Sequence, residues 1–313
     1  MCHFVSGLLL EDGTVFINPG RDSHTLLFPT LNIDDHPRNA VRLEYVPTRE
    51  AIEALTKWRD GADRAHDWDQ WRFIVDQDMR PDWFDMDQAM HAMRSAINRL
   101  TVWGDHGRVP KKCQLLFAIG CGWDEVPKGT YIGHMIQPVY GGLTIKGCID
   151  HLSGDRDSKP AVYAISDSAY IKIIDGCRVE SINGRIATIA NSEIYNIERG
   201  AHVTTVVDST VQILRGCRIE SVRASQVEQA TDFAVIDSLA DGSTLRALSG
   251  FSIVATGSNN VHIEDVGRHC RVGAPSWGDY YGQIGRIHAT ARAIMRAPCV
   301  SPDVEVYGLP SAI

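Results

Sequence analysis

Gly176-Cys177-Arg178-Val179-Glu180-Ser181-Ile182 returns forty residues later as Gly216-Cys217-Arg218-Ile219-Glu220-Ser221-Val222, with only aliphatic exchanges between the copies. Reading outward from this pair, the chain falls into units of about eight residues: GCRVESIN, GRIATIAN, SEIYNIER, GAHVTTVV, DSTVQILR, GCRIESVR, ASQVEQAT and DFAVIDSL. Each unit opens on small or polar residues and carries β-branched or aliphatic residues inside. Strands this short, interrupted every eight residues by Gly, Ser, Asn or Asp, cannot extend one long sheet and must turn corners. Stacked as parallel coils, they place their aliphatic side chains in one continuous column, and each coil touches only its neighbours. Looser copies at Leu245–Leu248, Phe251–Val254 and Val261–Glu264 extend the pattern over most of the stretch from about Val139 to Val272. The expectation is a parallel β-solenoid whose inner positions include Val179, Ile182, Val211, Ile213, Ile219 and Val222.

The N-terminal part follows other periods. Phe4–Leu10 and Thr14–Ile17 flank the turn Glu11-Asp12-Gly13 as a hairpin would. Val41–Val46 and Trp71–Val75 read as strands, and Thr48–Trp58 has helical spacing. Around His24–Leu31 only a short helix fits, because Pro29 lacks an N–H. Asp85 with Gln88 three residues on forms a capping box. Behind it Met86, Met90, Met93, Ile97 and Leu100 recur at steps of four and three, which predicts a helix over about Met86–Thr101 with Met90, Met93 and Ile97 buried. Gly104, His106, Gly107, Pro110 and Lys111-Lys112 read as a linker. The fold class is therefore mainly β: an α+β region over 1–112, the solenoid over 113–275, and a capping segment over 276–313 that covers open strand edges.

Composition bounds the partners. The 313 residues carry a net charge of −8, and from Val139 onward 16 basic face 19 acidic side chains without blocks of one sign. Nothing in that balance draws nucleic-acid phosphates, so no nucleic-acid partner is expected. The opening MCHFVSGLLLEDG has no basic residue before its short apolar run, and no run is long enough for a bilayer span, so a cytoplasmic protein without a membrane partner is expected. Eight cysteines without a C-x-x-C pair argue for reduced, buried thiols and against structural zinc. Cys177 and Cys217 hold the same octad position and are expected to be unbridged. Equivalent environments are expected for both; five octads separate them, so in a two-sided or a three-sided coil they lie on different faces unless the coils contain irregular insertions.

Several residues invite a chemical reading. Cys2 becomes N-terminal if Met1 is removed, and its own amine is then a general base, as in glutamine amidotransferases of the N-terminal nucleophile class; those open MCG, whereas His3 stands here. Asp22-Ser23-His24 holds the residue types of a hydrolase triad, but adjacent side chains cannot adopt its end-to-end geometry, and a helix cap is the expectation. Lys128-Gly129-Thr130 lacks a phosphate-loop frame. His134, His262, His269 and Cys270 show no metal-ligand spacing, so neither metal nor cofactor is expected. The octads leave little room for the cleft-building loops of pectate-lyase-like enzymes, and their length departs from the six-residue repeat of left-handed acyltransferase helices.

Taken together, MCHFVSGLLLEDGTVFINPG, the segment WRFIVDQDMRPDWFD at Trp71–Asp85 and the terminal octads resemble uncharacterised bacteriophage proteins with an N-terminal α+β region and a C-terminal octapeptide-type β-solenoid. Their tails carry strings such as GNATV or SSTV, echoed here by Asp208-Ser209-Thr210-Val211. The resemblance implies a setting, infection of a bacterium, and no activity. The reading is a non-enzymatic phage protein whose rigid solenoid binds a host, defence or virion protein, with a homodimer as a reasonable expectation. The alternative is an amidohydrolase using Cys2, or a glycan-processing β-helix. A retained Met1 in an intact-mass measurement would eliminate the Cys2 mechanism.

Overall fold

The computed structural model describes residues 5–19, 24–56, 65–105, 107, 109, 112–136, 142–154, 162–257, 261–266, 270–272, 286–288 and 305–307. The protein is mainly β, and its parallel strands build a β-solenoid of about 9 turns over residues 101–266. Two compact units divide the chain: Met1–Trp123 with Gly129–Val139, and Asp124–Lys128 with Tyr140–Ile313.

In the first unit β1 (Val5–Leu9) and β2 (Val15–Phe16) form the expected hairpin, with Gly13 at φ 80 in its turn. Then come α1 (His24–Leu31), β3 (Val41–Pro47), α2 (Arg49–Thr56), β4 (Trp71–Val75), α3 (Met86–Arg99), β5 (Thr101–Trp103) and β6 (Gln114–Ile119). After β7 (Glu125–Val126), which belongs to the second unit, β8 (Tyr131–Ile136) returns to the first. The antiparallel sheet runs β2-β1-β3-β4, and β5-β6-β8 are parallel. Pro29 sits inside α1, which stays at eight residues. The side chain of Asp85 caps α3 by accepting from the Gln88 N–H at 2.8 Å. Met93 and Ile97 are buried with Ala89 and Ala96, whereas Met90 is only partly buried and packs at the margin of the same core. Helix α3 stops at Arg99 because Thr101 already opens the parallel strand β5.

In the second unit β9 (Leu143–Ile145), β10 (Cys148–Ser153), β11 (Val162–Ile165), β12 (Tyr170–Asp175), β13 (Arg178–Ile182), β14 (Arg185–Ala190), β15 (Glu193–Ile197), β16 (His202–Val207) and β17 (Thr210–Arg215) succeed one another. They are followed by β18 (Arg218–Arg223), β19 (Gln226–Thr231), β20 (Val235–Ala240), β21 (Thr244–Leu248), β22 (Ile253–Gly257), β23 (His262–Val266), β24 (Arg271–Val272), β25 (Arg286–His288) and β26 (Glu305–Tyr307). Even-numbered strands from β10 to β24 form one parallel ladder, and the odd-numbered strands from β7 with β26 form the other. One coil is thus two octads, one per sheet. Tyr170 pairs with Arg185 and Val235 with Ile253, so a coil lengthens from 15 to 18 residues as its corners take up extra residues. Beyond Ser276, β25 and β26 continue the odd ladder.

The inner positions are the second and fifth of each strand: Val179 and Ile182, Ile186 and Ile189, Val203 and Val206, Val211 and Leu214, Ile219 and Val222, all buried. A spacing of three breaks strict alternation and leaves the third and fourth residues both partly exposed. This corrects one inward assignment. Ile213 is partly exposed and Leu214 fills the column, because counting by two from Val211 misses the extra residue. Each buried Val, Leu or Ile contributes about 1.5–3 kcal/mol, so this column is the main source of the stack's stability.

The corners into the two sheets differ. Those entering the odd ladder hold a residue at positive φ followed by a buried Cys or Ser: Gly176-Cys177, Asn191-Ser192, Asp208-Ser209 and Ala224-Ser225, while Asp241-Gly242-Ser243 has two positive-φ residues before its serine. The serines bond from coil to coil. Cys177 N donates to Ser192 Oγ, Ser192 N to Ser209 Oγ and Ser209 N to Ser225 Oγ, each at 3.1 Å, and Ser225 N to Ser243 Oγ at 3.3 Å. Each hydroxyl in turn donates to a carbonyl of its own coil, as Ser209 Oγ does to Val207 at 2.7 Å. Backbone groups freed by the bend are thereby satisfied without water.

Cys177 lies at such a corner before β13 of the odd ladder, and Cys217 at the opposite kind of corner before β18 of the even one. Both thiols are free and buried. Desolvation pushes the Cys177 thiol strongly up and the Cys217 thiol to about 12, so neither supplies a thiolate near neutrality.

Candidate functional site

Two corners entering the even ladder carry exposed phenylalanines, Phe233 and Phe251; Tyr163 on β11 and Tyr170 on β12 are also exposed but stand singly on the flat faces. Thr231–Ala234 and Ser249–Ser252 are tight turns closed by Ala234 N donating to the Thr231 carbonyl at 3.1 Å and Ser252 N to the Ser249 carbonyl at 3.2 Å. Both central residues have positive φ: Asp232 at 54 with Phe233 at 70, and Gly250 at 61 with Phe251 at 64. This is type I′ geometry, in which the second central position favours Gly, as Gly242 shows at the end of the opposite edge. Phenylalanine there costs about 1–2 kcal/mol of backbone strain.

That cost is not recovered by burial. Phe233 is 65% and Phe251 53% exposed. Their rings stack on successive coils with centroids 5.4 Å apart and planes 9° from parallel. Phe233 N also donates to the Gly250 carbonyl at 2.9 Å, tying the two turns together. The result is a rigid double aromatic face on one edge of the solenoid. Beside it Arg215 lies 3.5 Å from Asp232 and 3.8 Å from Glu198.

The flat faces offer less. Their charges pair along the stack: Arg178 with Glu193 at 2.7 Å, Arg218 with Asp237 at 2.8 Å, His202 with Glu220 at 2.8 Å, and Arg246 with Glu228 at 3.1 Å and Glu264 at 3.7 Å. Such exposed pairs add ~0–1 kcal/mol each, but they neutralise the surface locally and give phosphates no basic stripe.

In the first unit a shallow pocket of about 490 Å³ is lined by Trp68, His91, Arg94, Ser95, Asn98 and Arg99. Its cations are engaged: Arg94 donates to the Tyr45 hydroxyl at 2.8 Å and lies over the Trp68 ring, and Arg99 donates to Ser95 Oγ at 3.0 Å. His66 is buried among Trp68, Trp71, Trp103 and Phe117 with ring centroids 5.0–5.3 Å away. Thr101 Oγ1 donates to the Ile97 carbonyl and so accepts from His66 Nε2 at 3.1 Å, which leaves Nδ1 without a hydrogen-bond partner. Desolvation lowers its pKa to about 4, so this imidazole is neutral near neutrality.

Of the residues singled out in the sequence, Cys2, Asp22, Ser23 and His269 lie outside the described residues. His24 does more than start a helix: it opens α1 and is buried against Glu44 and Asp76, a convergence hidden by separations of 20 and 52 residues. Lys128 and Gly129 form a turn with Gly129 at φ 86. His134 stacks on Phe117 at 5.1 Å, and His262 is half exposed, 3.9 Å from Glu264. Phe233 and Phe251 were legible only as octad members. The signal available for them was a phenylalanine at an Asp-x or Gly-x corner where Gly is usual.

No protein-family model, curated protein or solved structure matches this chain. Fold and site together define a β-solenoid repeat protein with one polar, self-bonded edge and one aromatic edge. Among the described residues no helix is long and apolar enough to cross a membrane.

Proposed function

We propose that the chain is a non-enzymatic phage protein, a binding scaffold whose solenoid presents the Phe233–Phe251 pair to a protein partner, either a host or defence protein or another virion protein. The single observation behind this reading is that two phenylalanines occupy strained type I′ positions and remain more than half exposed. Their burial is small, and the mutual stack of about 0.5–1.5 kcal/mol offsets the backbone strain only in part. Exposed aromatics on a rigid frame lose little conformational entropy on binding and are frequent anchors of protein contacts. The phage setting follows from the resemblance in the N-terminal segments and octads. Immobilised full-length chain is expected to retain a partner from infected or expressing cells, and the Phe233→Asn/Phe251→Asn variant to lose it while keeping its melting temperature. Equal retention by both chains would refute the proposal.

A further inference from the structure

Beyond the aromatic edge, the first unit brings together a donor set with no role in the scaffold reading. Three separate elements meet at it. His24 opens α1, whose Leu27 and Phe28 pack with Leu8 and Ala40. Glu44 lies on β3. Asp76 follows β4 and is held by its own N–H, which donates to the Arg42 carbonyl at 2.9 Å.

The hydrogen-bond accounting at His24 decides the chemistry. Its side chain is only 8% exposed. Nε2 lies 3.0 Å from the Leu43 carbonyl, which can only accept, so Nε2 carries a proton. Nδ1 then faces Asp76 Oδ2 at 3.3 Å and Glu44 Oε1 at 3.9 Å. In a neutral ring that nitrogen is a lone pair aimed at two carboxylates, an arrangement that is repulsive unless positive charge lies between them. The neighbouring cation on β3, Arg42, pairs with Asp35 instead.

Among the described residues the charge can come from a proton on Nδ1 or from a bound cation. A charge-assisted N–H···O bond is about 2.7–2.9 Å long, shorter than both separations here. One proton also cannot serve two carboxylates so placed. A metal ion bound at about 2.0–2.2 Å from each donor holds them roughly 3–3.5 Å apart; the 3.3 Å from Nδ1 to Asp76 falls in that range, and the 3.9 Å to Glu44 closes by a few tenths of an ångström on binding, all three ligand atoms lying within 4.8 Å of one another. The carbonyl on Nε2 is the usual outer support of a metal-bound imidazole.

We propose that His24 Nδ1, Glu44 and Asp76 bind a divalent first-row transition-metal ion of the zinc type. One imidazole and two carboxylates suit Zn²⁺ or Mn²⁺ better than Mg²⁺ or Ca²⁺, which take oxygen donors, or Cu⁺, which takes sulfur. Three protein ligands leave a position for water or an anionic group. Half-exposed Asp76 is the side from which such a group would enter.

Titration of the full-length chain with Zn²⁺ by calorimetry, and with Co²⁺ by visible absorption, tests this. The expected result is one site whose Co²⁺ bands report mixed nitrogen and oxygen ligands and which excess Mg²⁺ does not displace. Asp76→Asn, at an exposed position, and Glu44→Gln should each weaken that site by about tenfold or more with circular dichroism unchanged. Equal affinity in wild type and both folded variants, displacement by Mg²⁺, or no binding at millimolar ion would overturn the site. None of these outcomes bears on retention of a partner by the phenylalanine edge.

Discussion

The two edges of the solenoid solve the same geometrical problem in opposite ways. Both must reverse the chain after five or six residues, and both use residues at positive φ at several of their corners. Entering the odd ladder, the residue after the bend is a buried Cys or Ser, and four serines bond coil to coil. Entering the even ladder, two successive type I′ turns place phenylalanine where glycine is easiest, with the rings outside. One edge spends its side chains on the fold. The other holds two rings that stack on each other yet stay more than half exposed, which is why the aromatic edge is assigned to contact.

The largest effect should come from cutting the serine edge. Replacing Ser192, Ser209 and Ser225 by Ala leaves the N–H groups of Cys177, Ser192 and Ser209 buried without acceptors. At ~1–3 kcal/mol per orphaned donor, the triple variant should lose about 3–9 kcal/mol in urea unfolding. A loss under ~1 kcal/mol would make the ladder ornamental and remove the contrast between edges.

A second variant pair fixes what counts as inside. Leu214→Ala should cost about 2–5 kcal/mol, whereas its partly exposed neighbour Ile213→Ala should cost under ~1.5 kcal/mol. The reverse order would restore simple alternation and move the corners by one residue. Thiol reactivity supplies an independent check: Cys177 and Cys217, on opposite edges, should both react slowly with a disulfide reagent in native protein at pH 8. In denaturant they should react fully without prior reduction.

The smallest stability effect is expected at the aromatic edge. Phe233→Asn and Phe251→Asn exchange a strained residue for one that tolerates the left-handed region, at the loss of a stack worth ~0.5–1.5 kcal/mol. Each should change stability by no more than about 1 kcal/mol, far below the ~3–5 kcal/mol of a core phenylalanine. A core-sized loss would return both rings to the fold.

How much of this was legible in the sequence depends on the range of the interaction. The octads, the helix behind Asp85 and the hairpin around Gly13 are local patterns, and each is found where its residues predict. Counting octads left Cys177 and Cys217 either on different faces or separated by irregular insertions, and the two ladders place them on different sheets. Ile213 failed because a bend inside each strand sets the inward residues three apart, and nothing local marks that bend. His66 and the His24–Glu44–Asp76 cluster were missed for another reason: their partners are assembled by the tertiary fold, across separations that no motif spans. The serine ladder was visible as Asn-Ser, Asp-Ser and Ala-Ser corners, but its bonding needs the coil register.

The most direct measurement of the central claim is site-specific photocrosslinking in cells, with benzoylphenylalanine placed at Phe251 on the aromatic edge and, in a separate chain, at exposed Asp208 on the serine edge. The account predicts a crosslink to a second polypeptide from position 251, competed by excess unlabelled chain, and none from position 208. Crosslinks of equal yield from both positions, or from 208 alone, would contradict it.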